Sequence, residues 1–196
     1  MRNLTLLLGL MLCTAADATD AGPAYTDLAG REQRPLACTE RKATVLVFIA
    51  LDCPIANRFA PELNRMTEAY AARGVAVFLV HADPDVSAAA AKQHAAEFKL
   101  AAPVLLDPKQ KLAQHVGATV TPEAALLDAT GARRYRGRID DTYESFGDKP
   151  RKEPTRRDLR EALEAVLAGQ AVKSPETRAI GCFLPKLKPP PEEQRP

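Results

Sequence analysis

Tryptophan does not occur in this sequence, and aromatic side chains of any kind make up only 5% of it. The few aromatics are not interleaved with basic residues, so the stacking-and-charge pattern of a nucleic-acid surface is missing. Charge of one sign does not dominate either. Lys and Arg number 27 against 25 Asp and Glu, a formal net charge of +2, which gives no reason to expect a polyanionic partner. Long apolar runs are also lacking: Leu4–Leu12 is too short to cross a bilayer as a helix, and no second stretch follows. The three histidines, His81, His94 and His115, are scattered at spacings that match no metal-binding pattern. No segment repeats. What remains, 46% hydrophobic residues in a chain of 196, suffices for one compact domain with a real core.

The N-terminus reads as a targeting segment. Arg2 supplies a positive start, Leu4–Leu12 an apolar stretch, and Ala16-Asp17-Ala18 a small-x-small cleavage site. Cleavage after Ala18 and export, to a bacterial periplasm or beyond, are expected. Lipid attachment at Cys13 is the weaker alternative, because Leu12 is bulky for a lipoprotein signal. The chain then divides into a leader (1–18), an N-terminal segment (19–43), a folded domain (44–169) and a tail (170–196). The end of the tail, from Lys188, is rich in Pro and charge and is expected to be disordered. Of the four cysteines, Cys38, Cys53 and Cys182 survive cleavage. An odd count in an exported chain leaves at least one thiol free, bound to a partner, or at work.

The stretch Thr44–Leu63 carries the chemistry. Its apolar, β-branched run to Leu51 lacks polar alternation, as in a strand buried on both faces. Pro54 suits the first turn of a helix, where its missing N–H has no partner to lose. Ile55, Phe59, Leu63, Met66 and Tyr70 then fall on one helical face, with Arg58, Glu62, Arg65 and Glu68 opposite. Cys53 therefore sits where a central strand hands over to a helix N-terminus. Unpaired N–H groups and the positive helix end favour a thiolate there, and the thiolate is the nucleophile. The bland reading is a small buried residue in a turn. The carboxyl ends of strands in open α/β sheets are where chemistry collects, which favours function.

Val75–Val80 reads as a second buried strand, implying a parallel, right-handed crossover from the first. Pro84–Leu100 reads as an alanine-rich helix with Val86, Ala90 and Phe98 inward. Val104–Leu106 is a short strand and Lys109–Val116 a short helix. Glu123–Leu127 and Arg133–Arg138 flank the turn Asp128–Gly131 as a hairpin. Ile139–Pro154 is loop-like. Thr155–Asp158 is a capping box opening a helix with Leu159, Leu163, Val166 and Leu167 on one face. Tyr25–Leu28 suggests a short edge strand.

A strand ending in Phe48-Ile49-Ala50-Leu51-Asp52-Cys53-Pro54, a helix with Pro61, and a later Val120-Thr121-Pro122 resemble the thioredoxin superfamily. The likeness runs from about Asp27 to Gly169. Within the superfamily the chain is most similar to the redoxin branch, which groups with the alkyl hydroperoxide reductase and thiol-specific antioxidant family. The resemblance implies an α/β fold, a central mixed sheet flanked by helices, with no organic cofactor. It implies a cis peptide bond before Pro122, facing Cys53, with the backbone of Thr121 free to pair with an extended substrate strand. Three departures qualify the activity. The position of a second dithiol cysteine is Ala56. The second cysteine of copper-carrying relatives is replaced by Asn57. The threonine expected three residues before a peroxidatic cysteine is Ala50.

The resulting expectation is an exported thiol oxidoreductase, with Cys53 attacking a disulfide or a hydroperoxide. Cys182 or an external thiol would resolve the product. The link from Gly169 to Cys182, at roughly 3.3–3.6 Å per residue, is long enough to cross the domain. A static bridge to Cys38 and an isolated buried thiol stay open for Cys182. Cys38, at the opposite end of the strand from Cys53, is read as accessory. Thr121, Pro122 and Arg58 are the candidate substrate contacts, and Arg58 could offset the charge of Asp52. Arg138, Asp140 and Asp141 could line the cleft. His94 and His115 read as surface or satisfied residues. His81 could approach Cys53, and a metal site of Cys53, Cys182 and His81 has no ligand spacing behind it. The alternative functions are a copper-binding or thiol-carrying module without turnover, and a degenerate fold used for protein contacts.

Overall fold

Apolar runs without alternation form the middle of the sheet. A computed structural model describes residues 22–37 and 40–187. The expected leader, Cys13, Cys38 and the end of the tail from Lys188 lie outside the described residues. Two short strands, β1 (Tyr25–Thr26) and β2 (Glu32–Gln33), pair antiparallel ahead of the domain. Next, β3 (Ala43–Ile49) is buried at all seven positions. It is followed by α1 (Pro54–Arg58), α2 (Ala60–Ala71), β4 (Val75–His81), α3 (Ala88–Glu97), β5 (Val104–Leu106) and α4 (Lys111–Val116). Then come β6 (Val120–Thr121), β7 (Glu123–Asp128), β8 (Arg133–Gly137), α5 (Asp158–Leu167) and β9 (Cys182–Phe183).

The main sheet has the order β5-β4-β3-β7-β8. The strands β3, β4 and β5 run parallel, and β7 and β8 antiparallel, so the sheet is mixed as expected. Side chains alternate across it. Val45, Val47, Val77, Leu79 and Leu126 face Ile55, Leu63, Met66, Leu159 and Leu163 of α1, α2 and α5. Leu46, Phe48, Phe78, Val80 and Leu127 face Leu112, Ala113 and Val116 of α4. Helices thus cover both faces, and α3 packs beside β5. Near Tyr25–Leu28, Asp27 bridges to Leu105 and the Leu28 N–H reaches the Val104 carbonyl at 3.2 Å, extending the β5 edge.

Several expectations change. The helix after Cys53 is broken at Phe59 into α1 and α2, although Ile55, Phe59, Leu63, Met66 and Tyr70 are all buried as its periodicity predicts. Pro61 has no N–H to return to the preceding turn, and its ring crowds that turn, so the helix restarts. Glu62, expected on the polar face, is buried. It accepts from Arg160 Nε at 2.6 Å and Arg65 Nη2 at 2.7 Å, tying α2 to α5. Burial opposes its ionisation, but these guanidinium hydrogen bonds outweigh it and hold the carboxyl below its usual range. The capping box at Thr155 does not form. Asp141 takes the backbone N–H groups of Thr155 (2.7 Å) and Arg156 (2.9 Å), as well as the Thr155 hydroxyl, so the helix starts at Asp158 instead.

The helix α3 begins later than expected, at Ala88, where the Ser87 hydroxyl accepts from Ala90 N–H at 3.1 Å. Its buried residues are Ala91 and His94; Val86, Ala90 and Phe98 are only half-buried. His94, read as a surface or satisfied residue, is buried. Its ring meets His81 edge-on with centroids 5.2 Å apart, and Phe98 at 4.9 Å. His115 is exposed, as expected.

His81 is only 1% exposed, and neither ring nitrogen has a hydrogen-bond partner among the described residues. Burial, then the neighbouring His94, lowers its pKa to about 4 from 6.5. The unfolded chain therefore takes up this proton before the folded one does. Stability should fall as pH drops from about 6.5 towards 4, by up to about 3 kcal/mol. Urea titrations of the wild type and His81→Leu between these limits check this. The substitution should flatten the acid slope; an unchanged slope would contradict the assignment.

Candidate active site

Cys53 is the residue before the first turn of α1, in extended conformation (φ −83°, ψ 103°). Its sulfur accepts from the Ala56 N–H at 3.5 Å, the capping geometry that strand-to-helix placement predicts. The thiol also donates to the Thr121 carbonyl at 3.1 Å. The Thr121–Pro122 bond is cis, as the resemblance implied. The sulfur thus faces the dipeptide it was expected to face. It is not exposed: Cys53 is 0% accessible.

The cover comes from the tail. The strand β9 pairs antiparallel with β6, matching Cys182 to Thr121 and Phe183 to Val120. This corrects the expectation that the Thr121 backbone is free for a substrate strand. Cys182 and Cys53 are both free thiols, and they lie within hydrogen-bonding reach of each other. Of the alternatives for Cys182, the structure brings it to Cys53. Glycine permits the approach. A Cβ built on Gly181 would fall 1.9 Å from the Thr121 carbonyl oxygen and 3.1 Å from Pro122 Cδ. Upstream, a Cβ on Gly137 would fall 2.2 Å from Thr177 Oγ1, so the tail is pressed against β8 as well.

The loop before α1 is braced from the side. Asn57 donates through Nδ2 to the Leu51 carbonyl at 3.0 Å and accepts through Oδ1 from His94 Nε2 at 2.8 Å. The position that departs from the copper-carrying pattern is thus a structural cross-link. Neither Asn57 nor His94 stood out in the sequence as part of the site. His81 packs on His94, and among the described residues no group of three or more His, Cys, Asp or Glu side chains could hold a metal ion.

Phe59, Pro122, Arg138, Asp140, Tyr143 and Ile180 line a cavity of about 10 Å³, room for one water, beside the cis bond. Arg138 and Asp140 therefore do border the site, while Asp141 is spent on Thr155 and Arg156. The Arg138 Nε also donates to buried Asp158 at 2.7 Å. Arg58 and Asp52 are exposed on either side of Cys53 in sequence.

Burial first, then a hydrogen bond and charge from Cys53 and the charge of Asp52, push the Cys182 thiol up to about 11. At neutral pH Cys182 is then almost wholly protonated. Cys53→Ala removes two of these influences, and Asp52→Asn removes a third. Both should lower the midpoint of Cys182 alkylation by iodoacetamide, followed by mass spectrometry across pH, with Cys53→Ala the larger effect. A midpoint that stays put in Cys53→Ala would contradict the contact.

Comparison with known proteins agrees with this architecture. Residues 19–141 match the model of the AhpC/TSA family. An uncharacterized conserved protein from Geobacillus kaustophilus is 30% identical, with a TM-score of 0.73 over 87% of this chain and 92% of its own. A hypothetical protein from Sinorhizobium meliloti is 26% identical, with a TM-score of 0.71 over 84% and 91%. A putative thiol:disulfide interchange protein DsbE from Chlorobium tepidum is 21% identical, with a TM-score of 0.58 over 76% and 96%; that likeness shows the fold. No curated protein matches the chain. With more than half of its residues covered by the family model, the chain belongs to the AhpC/TSA family and has the thioredoxin-like fold.

Proposed function

We propose that the protein is an exported thiol–disulfide oxidoreductase whose working pair is Cys53 and Cys182. The observation that carries this reading is the shared contact at the cis bond. Thr121 accepts the Cys53 thiol through its carbonyl and holds Cys182 opposite it in the β6–β9 ladder. Two free thiols brought to one backbone position are suited to sharing a disulfide.

The steps follow from that geometry. The Cys53 sulfur bonds to one sulfur of a substrate disulfide, and the other substrate sulfur leaves as a thiolate. Cys182 then attacks the Cys53 sulfur and releases the second substrate sulfur. The substrate gains two electrons and, from solvent, two protons; the chain keeps a Cys53–Cys182 disulfide. An external dithiol returns it to the reduced form. Charge from Cys53 contributes to this order, beside the burial that is the largest cause of the raised Cys182 pKa. While Cys53 is a thiolate it raises the pKa of Cys182, and once Cys53 is bonded to substrate that charge is gone. Cys182 thus becomes a better nucleophile when it is needed. Thr121, Pro122 and exposed Arg58 would contact the substrate, and no organic cofactor takes part.

Membership of the AhpC/TSA family also favours a second substrate, a hydroperoxide, which would turn Cys53 into a sulfenic acid for Cys182 to resolve. Position 50 is an alanine, so it offers no hydroxyl to such a peroxide. Disulfide exchange is therefore the preferred reading.

Mixing the reduced protein with glutathione disulfide tests it. The wild type should end as an intramolecular Cys53–Cys182 disulfide, and Cys182→Ser should stop as a Cys53–glutathione mixed disulfide. Cys53→Ser should lose at least about a hundredfold in exchange rate. Equal rates in Cys53→Ser and the wild type would overturn the reading. Faster oxidation of Cys53 by hydrogen peroxide than by disulfides would favour the peroxide.

A further inference from the structure

The site that should meet substrate is closed by the chain itself. Two anchors hold the tail. Upstream of β9, Arg136 N–H donates to the Pro175 carbonyl at 2.9 Å and Thr177 N–H to the Arg136 carbonyl at 3.0 Å. Downstream, Leu184 N–H donates to the Thr119 carbonyl at 2.9 Å and Gln110 Nε2 to the Pro185 carbonyl at 2.7 Å. Between the anchors lies a ladder of only two residue pairs. Phe183 within it is 85% exposed, whereas Cys53 beneath is fully sealed. A short ladder flanked by exposed side chains is the kind of element that opens locally without global unfolding.

The closed state also records what the β6 edge accepts. It holds an extended strand with a small residue over the Thr121 carbonyl, a cysteine opposite Thr121, and an aromatic side chain turned to solvent. Resting on the disulfide-exchange reading above, we propose that β9 is an internal competitor for this edge. An extended, cysteine-bearing polypeptide with a small residue before its cysteine takes the place of Gly181–Phe183. The return of β9 then brings Cys182 onto Cys53 and expels the product strand. Strand addition supplies the backbone hydrogen bonds, and the close contact at Gly181 supplies the selectivity for a small residue.

The test needs no thiol. The probe is a fluorescent peptide copying Thr177–Lys186 with Cys182→Ser, titrated into full-length protein carrying Cys53→Ser and Cys182→Ser, with and without Gly181→Val. Valine at 181 should dislodge the resident strand, so the peptide should bind that protein at least about tenfold tighter than the one retaining Gly181. A peptide carrying Gly181→Val itself should bind neither. Equal binding to both proteins, or equal binding of both peptides, would overturn the proposal. Amide exchange of the wild-type protein decides the matter independently of how the variant folds. The amides of Cys182 and Leu184 should exchange at least about a hundredfold faster than those of Val45 and Val47. Equal protection would mean that β9 never leaves, and would also overturn it. A chain that binds the peptide but exchanges no disulfide would refute the oxidoreductase reading alone.

Discussion

The arrangement depends on one carbonyl. The oxygen of Thr121 accepts the Cys53 thiol, and the same residue stands opposite Cys182 in the small β6–β9 sheet. The cis bond to Pro122 and the extended turn at Cys53 converge on it from two distant parts of the chain. The other local features serve this meeting. Pro54 starts the helix without leaving an N–H orphaned, and Asn57 ties that helix to Leu51 and His94. Gly181 leaves room where any side chain would strike the carbonyl.

In the proposed exchange, order matters as much as proximity. A half-buried thiol beside another sulfur and a carboxylate resists ionisation, and Cys182 does so strongly. That resistance would be a defect in a nucleophile acting first. In a residue proposed to act second it is useful, because it keeps Cys182 from attacking the substrate disulfide in place of Cys53. The absence of a second cysteine at Ala56 has the same consequence in space. In the proposed pair the second thiol lies on a separate strand, so closing the pair would be coupled to the position of the tail.

Much of this was legible in the residues. The uninterrupted run into Asp52-Cys53-Pro54 located the strand-to-helix turn, and Val120-Thr121-Pro122 located the cis bond opposite it. The length of the tail allowed Cys182 to reach Cys53. Other features were not legible, for identifiable reasons. The sealing of Cys53 comes from a strand of two residues, too short to carry a period. The brace of Asn57 and His94 joins two helices whose packing angle no local pattern encodes. His94 read as a surface or satisfied residue; it lies in a helical stretch rich in alanine, whose periodicity marks a buried face poorly. The capping box at Thr155 was locally sound, but Asp141 offered the same N–H groups a carboxylate from across the loop. The break at Phe59 was signalled by Pro61, whose effect the apolar periodicity masked.

The most direct test of the pairing is peptide mapping by mass spectrometry of the purified protein, alkylated under non-reducing conditions after mild oxidation. The account predicts one intramolecular disulfide, between Cys53 and Cys182, with Cys38 recovered alkylated. A bridge from Cys38 to either of the other cysteines, with Cys53 and Cys182 never joined, would contradict it.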